Sequence, residues 1–295
     1  MSLFSSLNIA RLALGANQTA IQTVGQNIAN AATPGYARQR VQMTPTPAHD
    51  MVFAQLGTGV RVSRIERIVD EHLESTLRGA RSDLSNLTEQ NRIWTLAGSI
   101  FNDLDGGGLS QALGRFFDSV QDLAVNPDDP TARTLLLEEG RTLAETFHFM
   151  DARVRDLRAG LDEDIRGEVL EINRITREVS ALNRAIVSAE NGGLNGNTAN
   201  DLRTQRDFLL GELSERLDIR VIENTSGGVQ VLSGSDVLVY DGRQRDLAIT
   251  PTADGDIAIG QVRFADDGGL FEAKGGRLAA LLGGRDEVLV DLRGE

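Results

Sequence analysis

The first thirty residues carry apolar or small side chains at alternating spacings of four and three. This heptad spacing predicts an α-helix with a coiled-coil seam, formed by Leu3, Leu7, Ala10, Leu14, Asn17, Ile21, Val24, Ile28 and Ala31. The rest of the helix surface is nearly free of charge, because Arg11 is the only charged residue between Ser2 and Gly35. An ordinary solvated helix would carry acidic and basic residues there.

Two interpretations of this helix stay open. It is either a buried hairpin helix of a globular domain or a helix surrounded by copies of itself, where neutral side chains avoid repulsion between equal charges. In the second interpretation the candidate assembly interface consists of Leu3, Leu7, Leu14, Ile21, Val24 and Ile28. Thr33-Pro34-Gly35 is expected to end the helix, since proline disfavours the helical conformation of the preceding residue and glycine accepts positive φ. Residues 1–35 thus form a predicted terminal assembly helix.

The middle of the chain is predicted to be a helical bundle. Residues 36–68 form an expected extended connector with one short strand, because Pro45 and Pro47 interrupt the pattern and residues 60–63 alternate. Residues 69–217 then show apolar tracks at helical spacing. The first track consists of Val69, Leu73, Leu77, Ala80, Leu84, Leu87 and Trp94, and the longest runs from 135 to 186. Asp129 and Pro130 are placed to begin that longest helix.

After Asp218 the apolar period changes from 3.6 to 2. Short strands are predicted at 219–222, 229–232, 237–240, 247–249, 257–259 and 262–264, within a small β module spanning 218–272. Helical spacing returns in 273–295, through Leu278, Leu281, Leu282, Val288 and Leu289. The predicted fold class is therefore mainly α: an N-terminal coiled-coil helix, a long-helix bundle domain and a smaller β-rich module near the C-terminus.

Composition and residue spacing argue against several classes of function. The net charge of −13 argues against nucleic acid, whose binding depends on Lys and Arg. No apolar run is long enough for membrane insertion, and the absence of cysteine excludes disulfides and thiolate metal sites. His49, His72 and His148 are far apart, and a calcium-like loop at Asp103 has Gly114 where a glutamate is required. We therefore expect no enzyme, and no catalytic, cofactor-binding or metal site.

Residues 27–36, NIANAATPGY, resemble the N-terminal motif shared by flagellar rod, hook and hook-associated proteins. The residues that carry this motif and its continuation are Asn27, Asn30, Thr33, Pro34, Gly35, Tyr36, Arg38 and Gln39. Within that group, residues 57–67 and the segment DLRTQRD at 201–207 are most similar to the family of hook-associated protein 1.

The resemblance implies a structural axial protein of the bacterial flagellum, an adaptor at the hook–filament junction that is extracellular after type III export. Expected partners are copies of itself in a ring or helical assembly, hook protein, the second hook–filament junction protein and the flagellar type III export apparatus. Family members end in a second heptad helix that pairs with the N-terminal one, and no such segment precedes Glu295. We therefore expect either that the chain is truncated relative to the family or that the partner helix is supplied otherwise. The alternatives are a flagellar rod or hook protein, or an exported helical binding module.

Overall fold

Helices dominate the computed structural model, which describes residues 3–33, 35–51, 54–101, 108–191, 199–254 and 257–288. They are α1 (Leu3–Ala29), α2 (Glu71–Ile100), α3 (Leu109–Val125), α4 (Pro130–Asn191), α5 (Asn200–Arg216) and α6 (Gly276–Gly283), followed by a π-helical turn (Gly284–Val288). This arrangement confirms the mainly α fold class. No helix within these ranges has a stretch long and apolar enough to cross a membrane.

The region between α1 and α2 contains paired strands. Strands β1 (Gln39–Pro45) and β4 (Val60–Arg67) form an antiparallel hairpin, and β2 (His49–Met51) pairs with β3 (Ala54–Leu56). The prediction of a single short strand here is thus corrected. Pro45 fits the end of β1 because the next pair is hydrogen-bonded, with Thr46 N–H donating to Gly59 C=O, so that Pro45 occupies a position needing no N–H.

Helix α2 packs through a different face from the one that its apolar track indicates. The helix begins where the Asp70 carboxylate accepts hydrogen bonds from the first free amides, and it continues without a break through Gly79. Its buried residues are Ser82, Glu89, Ile93 and Ala97. Leu84 of the predicted track is 67% exposed and Trp94 is 57% exposed. The apolar track of α2 therefore faces away from the bundle.

Helix α4 is the longest element, with 62 residues. The prediction for its start is confirmed, since the Asp129 carboxylate accepts a hydrogen bond of 2.8 Å from the Thr131 N–H. Helix α3 packs against α4, and the buried core begins further along α4 at Val154. The middle of α4 is thus the spine on which α5, α6 and the strands assemble.

The β-rich region lies directly on this spine. Strands β5 (Arg220–Glu223), β6 (Val229–Ser233), β7 (Asp236–Tyr240) and β8 (Arg243–Gln244) form an antiparallel meander, while β9 (Leu247–Asp254) pairs with β10 (Ile257–Phe264). Two strands predicted around Gly260 are in fact one, because Gly260 pairs with Pro251 without interrupting the ladder. One hydrophobic core runs from Ile175 and Val179 of α4 to Val231 and Val239 of the meander. A separate module beginning at 218 stays a prediction.

Candidate assembly surface

Helix α1 presents its predicted seam to solvent. All six candidate interface side chains are exposed, Ile21 to 72%: Leu3, Leu7, Leu14, Ile21, Val24 and Ile28. The other side of α1 packs on the hairpin and buries Ala16 and Thr23. Contact is close at Gly59, where a Cβ would lie 3.4 Å from Leu12 Cδ1. The hairpin, which sequence reasoning missed, thus supports α1 and leaves its apolar seam uncovered.

The family motif forms a clamp between α1 and β1. Asn27 Nδ2 donates to the Gln39 carbonyl at 2.8 Å, and the Gln39 N–H donates to Asn27 Oδ1 at 2.8 Å. The Tyr36 hydroxyl donates to the same Oδ1 at 2.9 Å. Burial, with a smaller effect of the Asp201 carboxylate, raises the pKa of Tyr36. The Asn27 amide therefore pairs with β1 as a neighbouring strand would.

The remaining motif residues shape the end of α1 and the hairpin entry. Asn30 Nδ2 donates to the Gln26 carbonyl at 3.0 Å, and Thr33 Oγ1 donates to Asn30 Oδ1 at 3.3 Å. Gly35 has φ +76°, a conformation that favours glycine. The Arg38 carbonyl accepts from the Ile68 N–H at 2.8 Å, which closes the hairpin. Pro34 lies outside the described residues.

The hairpin is also fixed to helix α5. Asn200 Nδ2 donates to the Ile65 carbonyl at 2.8 Å, and Arg67 forms a largely buried ion pair with Asp207. A Cβ on Gly35 would lie 3.3 Å from Phe208 Cβ, so close packing, like the positive φ, disfavours a larger residue at this position. The hairpin therefore lies between α1 and the bundle and contacts both α1 and α5.

Two arginine residues of the segment 201–207 join helix α5 to α4 and to the strand-rich region. Arg203 pairs with Glu190 at 2.8 Å and with Glu223 at 2.6 Å, which joins α5 to α4 and β5. Arg206 is 1% exposed and donates to Asn183 Oδ1 at 3.2 Å and to the Gly227 carbonyl at 2.7 Å. Among the described residues, no group of three or more potential ligands is placed to hold a metal ion.

Two further asparagines repeat the Asn27 arrangement. Asn173 bonds the Leu247 carbonyl and N–H, both at 2.8 Å or less, and Asn183 bonds the Val229 carbonyl at 2.8 Å and its N–H at 3.1 Å. Sequence reasoning missed both residues. The available signal was the position of an amide inside the long apolar track of α4, where asparagine is a poor helix former.

Comparison with known proteins identifies the family. Residues 97–295 match the family model of the flagellar hook-associated protein FlgK helical domain. Flagellar hook-associated protein 1 of Bacillus subtilis is 33% identical over 234 residues, 77% of this chain and 46% of that protein. Its counterpart in Salmonella typhimurium is 31% identical over 250 residues, 84% of this chain and 45% of that protein. The chain thus spans somewhat less than half the length of these relatives.

The fold agrees with these matches. A solved structure of the flagellar hook junction protein FlgK from Burkholderia pseudomallei aligns with a TM-score of 0.61 and 23% identity, covering 72% of this chain and 39% of that one. A long helical bundle, a small strand-rich region and a hairpin-supported terminal helix define a mainly helical protein with this fold. The chain belongs to the flagellar hook-associated protein 1 (FlgK) family.

Proposed function

We propose that this chain is a structural axial component of the bacterial flagellum that assembles at the hook–filament junction. The observation that carries the proposal is the α1 seam: six large apolar side chains exposed on a helix whose other face is already packed. Such a continuous apolar row is stabilised when another helix covers it, and a contact between subunits in the flagellum provides that cover. The relatives' names, hook-associated protein 1 and hook junction protein, support this location.

The role is architectural rather than enzymatic on this proposal. The clamp at Asn27 and the ion pair of Arg67 with Asp207 give α1 a defined orientation, which a subunit needs in order to repeat the same contact with each neighbour. The partners are other copies of the chain, hook protein and the second hook–filament junction protein. The chain is exported by the flagellar type III export apparatus and assembles outside the cell.

The test is a charge placed in the seam. Ile21→Asp puts a carboxylate where every neighbouring subunit would present another, so we expect export of filament subunits without retention of a filament. Gln121→Asp is the matched control, because Gln121 is exposed on α3 and lies outside the neutral surface of α1. Its cells are expected to swim.

The proposal fails if cells with Ile21→Asp swim as well as those with Gln121→Asp. Thermal melting of both purified variants separates an assembly defect from a folding defect. We expect both melting temperatures to match that of the unaltered chain, because neither side chain is buried. Unfolding of Ile21→Asp would assign Ile21 to the core instead.

A further inference from the structure

A cleft of about 590 Å³ lies where the hairpin, α2, α5 and the meander meet. Strand β4 lines one part of its wall, the N-terminal part of α2 another, and α5 with β5 and β6 the rest. Its volume lies within the range of about 300–1,000 Å³ that is usual for small-molecule sites. We call it the arginine cleft, because five arginine side chains line it: Arg64, Arg67, Arg78, Arg203 and Arg206.

Two arginines of the cleft are buried and have donors without acceptors. Arg206 is 1% exposed, and the side chain of Arg67 is 9% exposed. Their terminal nitrogens are satisfied, those of Arg206 by Asn183 and the Gly227 carbonyl and that of Arg67 by Asp207. The Nε atom of each is buried and finds no acceptor in the described part of the chain. Because a buried donor without an acceptor is costly, the cleft favours an acceptor from outside.

A third arginine, Arg78 of α2, lacks a counter-ion. It is half-buried and, unlike the other four arginines of the cleft, forms no ion pair with a described residue. Burial lowers the pKa of Arg78 and of Arg206, because desolvation disfavours the charged form, and the Asp207 carboxylate opposes this effect in both. Asp207 also pairs with Arg67. Three guanidinium groups, from β4, α2 and α5, thus share one carboxylate.

The other acidic side chains of the cleft do not supply the missing acceptors. Glu66 and Glu223 already pair with arginines at 2.6 Å. Glu71 and Glu74 lie in the first turn of α2, where Glu71 is exposed and therefore solvated. None of the four accepts a hydrogen bond from the buried Nε atoms. Inside the cleft the unmatched groups are therefore donors on cationic side chains.

We infer that the arginine cleft binds a small oxyanion, a phosphate or carboxylate group, through Arg67, Arg78 and Arg206. The planar guanidinium group presents parallel donors that match the oxygens of such groups. A water molecule can accept from a buried Nε, but it brings no negative charge to Arg78. The site goes beyond the proposed role in assembly. A bound anion would contact β4, α2 and α5 together, at the place where the hairpin joins the bundle.

Isothermal titration calorimetry of the purified chain tests the site, with sodium phosphate and sodium glutarate as probes in chloride buffer of constant ionic strength. We expect one of the two anions to bind at one site per chain, which also tells a phosphate ligand from a carboxylate ligand. Arg78→Gln should weaken binding roughly tenfold or more, because it removes charged donors. Arg141→Gln removes an exposed arginine of α4 outside the cleft and should leave the affinity unchanged. Asp207→Asn should strengthen binding, because it removes the carboxylate that competes for the same arginines.

The inference is overturned if neither anion binds beyond the chloride control, which would leave water as the acceptor in the cleft. Equal weakening by Arg78→Gln and Arg141→Gln would show attraction to the overall charge and no site, and weakening by Asp207→Asn would show that Asp207 does not compete with the anion. Circular dichroism checks the fold of each variant, and if Asp207→Asn unfolds, the comparison of Arg78→Gln with Arg141→Gln decides. Failure of this site leaves the proposed function untouched, since Ile21→Asp tests that function on α1.

Discussion

Three helical asparagine residues bond both backbone groups of one strand residue in the part of the chain that the structure describes. Asn27, Asn173 and Asn183 each offer a donor and an acceptor to the carbonyl and N–H of one strand residue. Each amide thereby satisfies backbone groups that would otherwise lose hydrogen bonds on burial. The arrangement requires both amide atoms, which makes it sensitive to replacements that keep the size of the side chain.

At the motif clamp we predict that Asn27→Asp loosens β1 from α1. The change removes the Nδ2 donor and places a carboxylate oxygen against the Gln39 carbonyl, which should cost about 1–3 kcal/mol. Hydrogen exchange at the Gln39 amide should rise, and the free energy of unfolding should fall. Gln22→Glu makes the same amide-to-carboxylate change at an exposed position of α1 and should alter neither. Unchanged exchange in Asn27→Asp would contradict the clamp.

The two clamps on α4 should respond differently to the same substitution. Asn173→Asp buries a carboxylate whose described contacts are with Leu247, and we expect it to lower the free energy of unfolding by about 3–5 kcal/mol. Asn183→Asp gains an ion pair, because Arg206 already donates to Asn183 Oδ1. Asn183→Asp should therefore lower the free energy of unfolding by at least about 1 kcal/mol less than Asn173→Asp does. Urea unfolding measures both, and equal losses would contradict the assigned role of Arg206.

The sequence indicates a role for Asn27 but gives no indication of the roles of Asn173 and Asn183. Resemblance to a family motif singles out Asn27, Tyr36 and Gln39, but the hydrogen bonds among them depend on a hairpin that places Gln39 beside α1. Asn173 and Asn183 carry no motif, and their partners lie 74 and 46 residues away in sequence. Contacts across such separations depend on tertiary packing, which periodicity does not encode.

At the scale of elements, α2 shows the limit of periodicity. The heptad track through Leu84 and Trp94 is the stronger sequence pattern, yet Ile93 and Ala97 face the bundle. A helix with two apolar stripes satisfies the same periodicity on either face. Which stripe is buried depends on the elements packed against it, here α5 and α6.

This assignment of faces predicts contrasting alanine substitutions. Ile93 is 1% exposed and lies in the core, so Ile93→Ala should lower the free energy of unfolding of the isolated chain by about 2–5 kcal/mol. Leu84→Ala removes a similar side chain from the exposed apolar track and should change it by less than about 0.5 kcal/mol. Denaturant unfolding of the two variants provides the comparison. If Leu84→Ala lowered the free energy of unfolding more than Ile93→Ala, the face of α2 that carries Leu84 would be the buried one, contrary to this assignment.

The ion pairs joining α4, α5 and β5 predict a response to acid. The hydrogen bond from Arg203 is the main cause that holds the pKa of Glu190 below its ordinary value of 4.5. A carboxylate with a lowered pKa stabilises the fold above its unfolded-state pKa, and that contribution disappears as the pH falls through the folded-state pKa. Between about pH 6 and about pH 3 the unaltered chain should therefore lose more stability than Glu190→Gln.

The control for this acid response is Glu145→Gln, which removes one exposed carboxylate of α4. Its unfolding free energy should follow the pH dependence of the unaltered chain. If Glu190→Gln also did so, the ion pair with Arg203 would not couple α5 to α4 in solution. Urea unfolding at the two ends of the pH range gives the required difference.

For the molecule as a whole, the order of the helices follows from the sequence, but the association of helices and strands does not. The change of period after Asp218 marks where strands begin, yet Val231 and Val239 share one core with Ile175 of α4. Likewise the prolines near residue 45 indicate a connector, while backbone pairing from Gln39 to Pro45 makes it a hairpin. Local patterns thus predict single helices and strands, and contacts between residues far apart in sequence determine how these elements pack together.

The central claim is that the α1 seam is exposed in the isolated chain and buried in the assembled flagellum. Accessibility of Ile21→Cys to a maleimide tests it directly in this cysteine-free background. Asp128→Cys, in the exposed turn before α4, is the control. We predict that both positions are labelled in the purified chain and that in isolated flagella Ile21→Cys is protected while Asp128→Cys still reacts. Equal labelling of Ile21→Cys in the two states would contradict the claim.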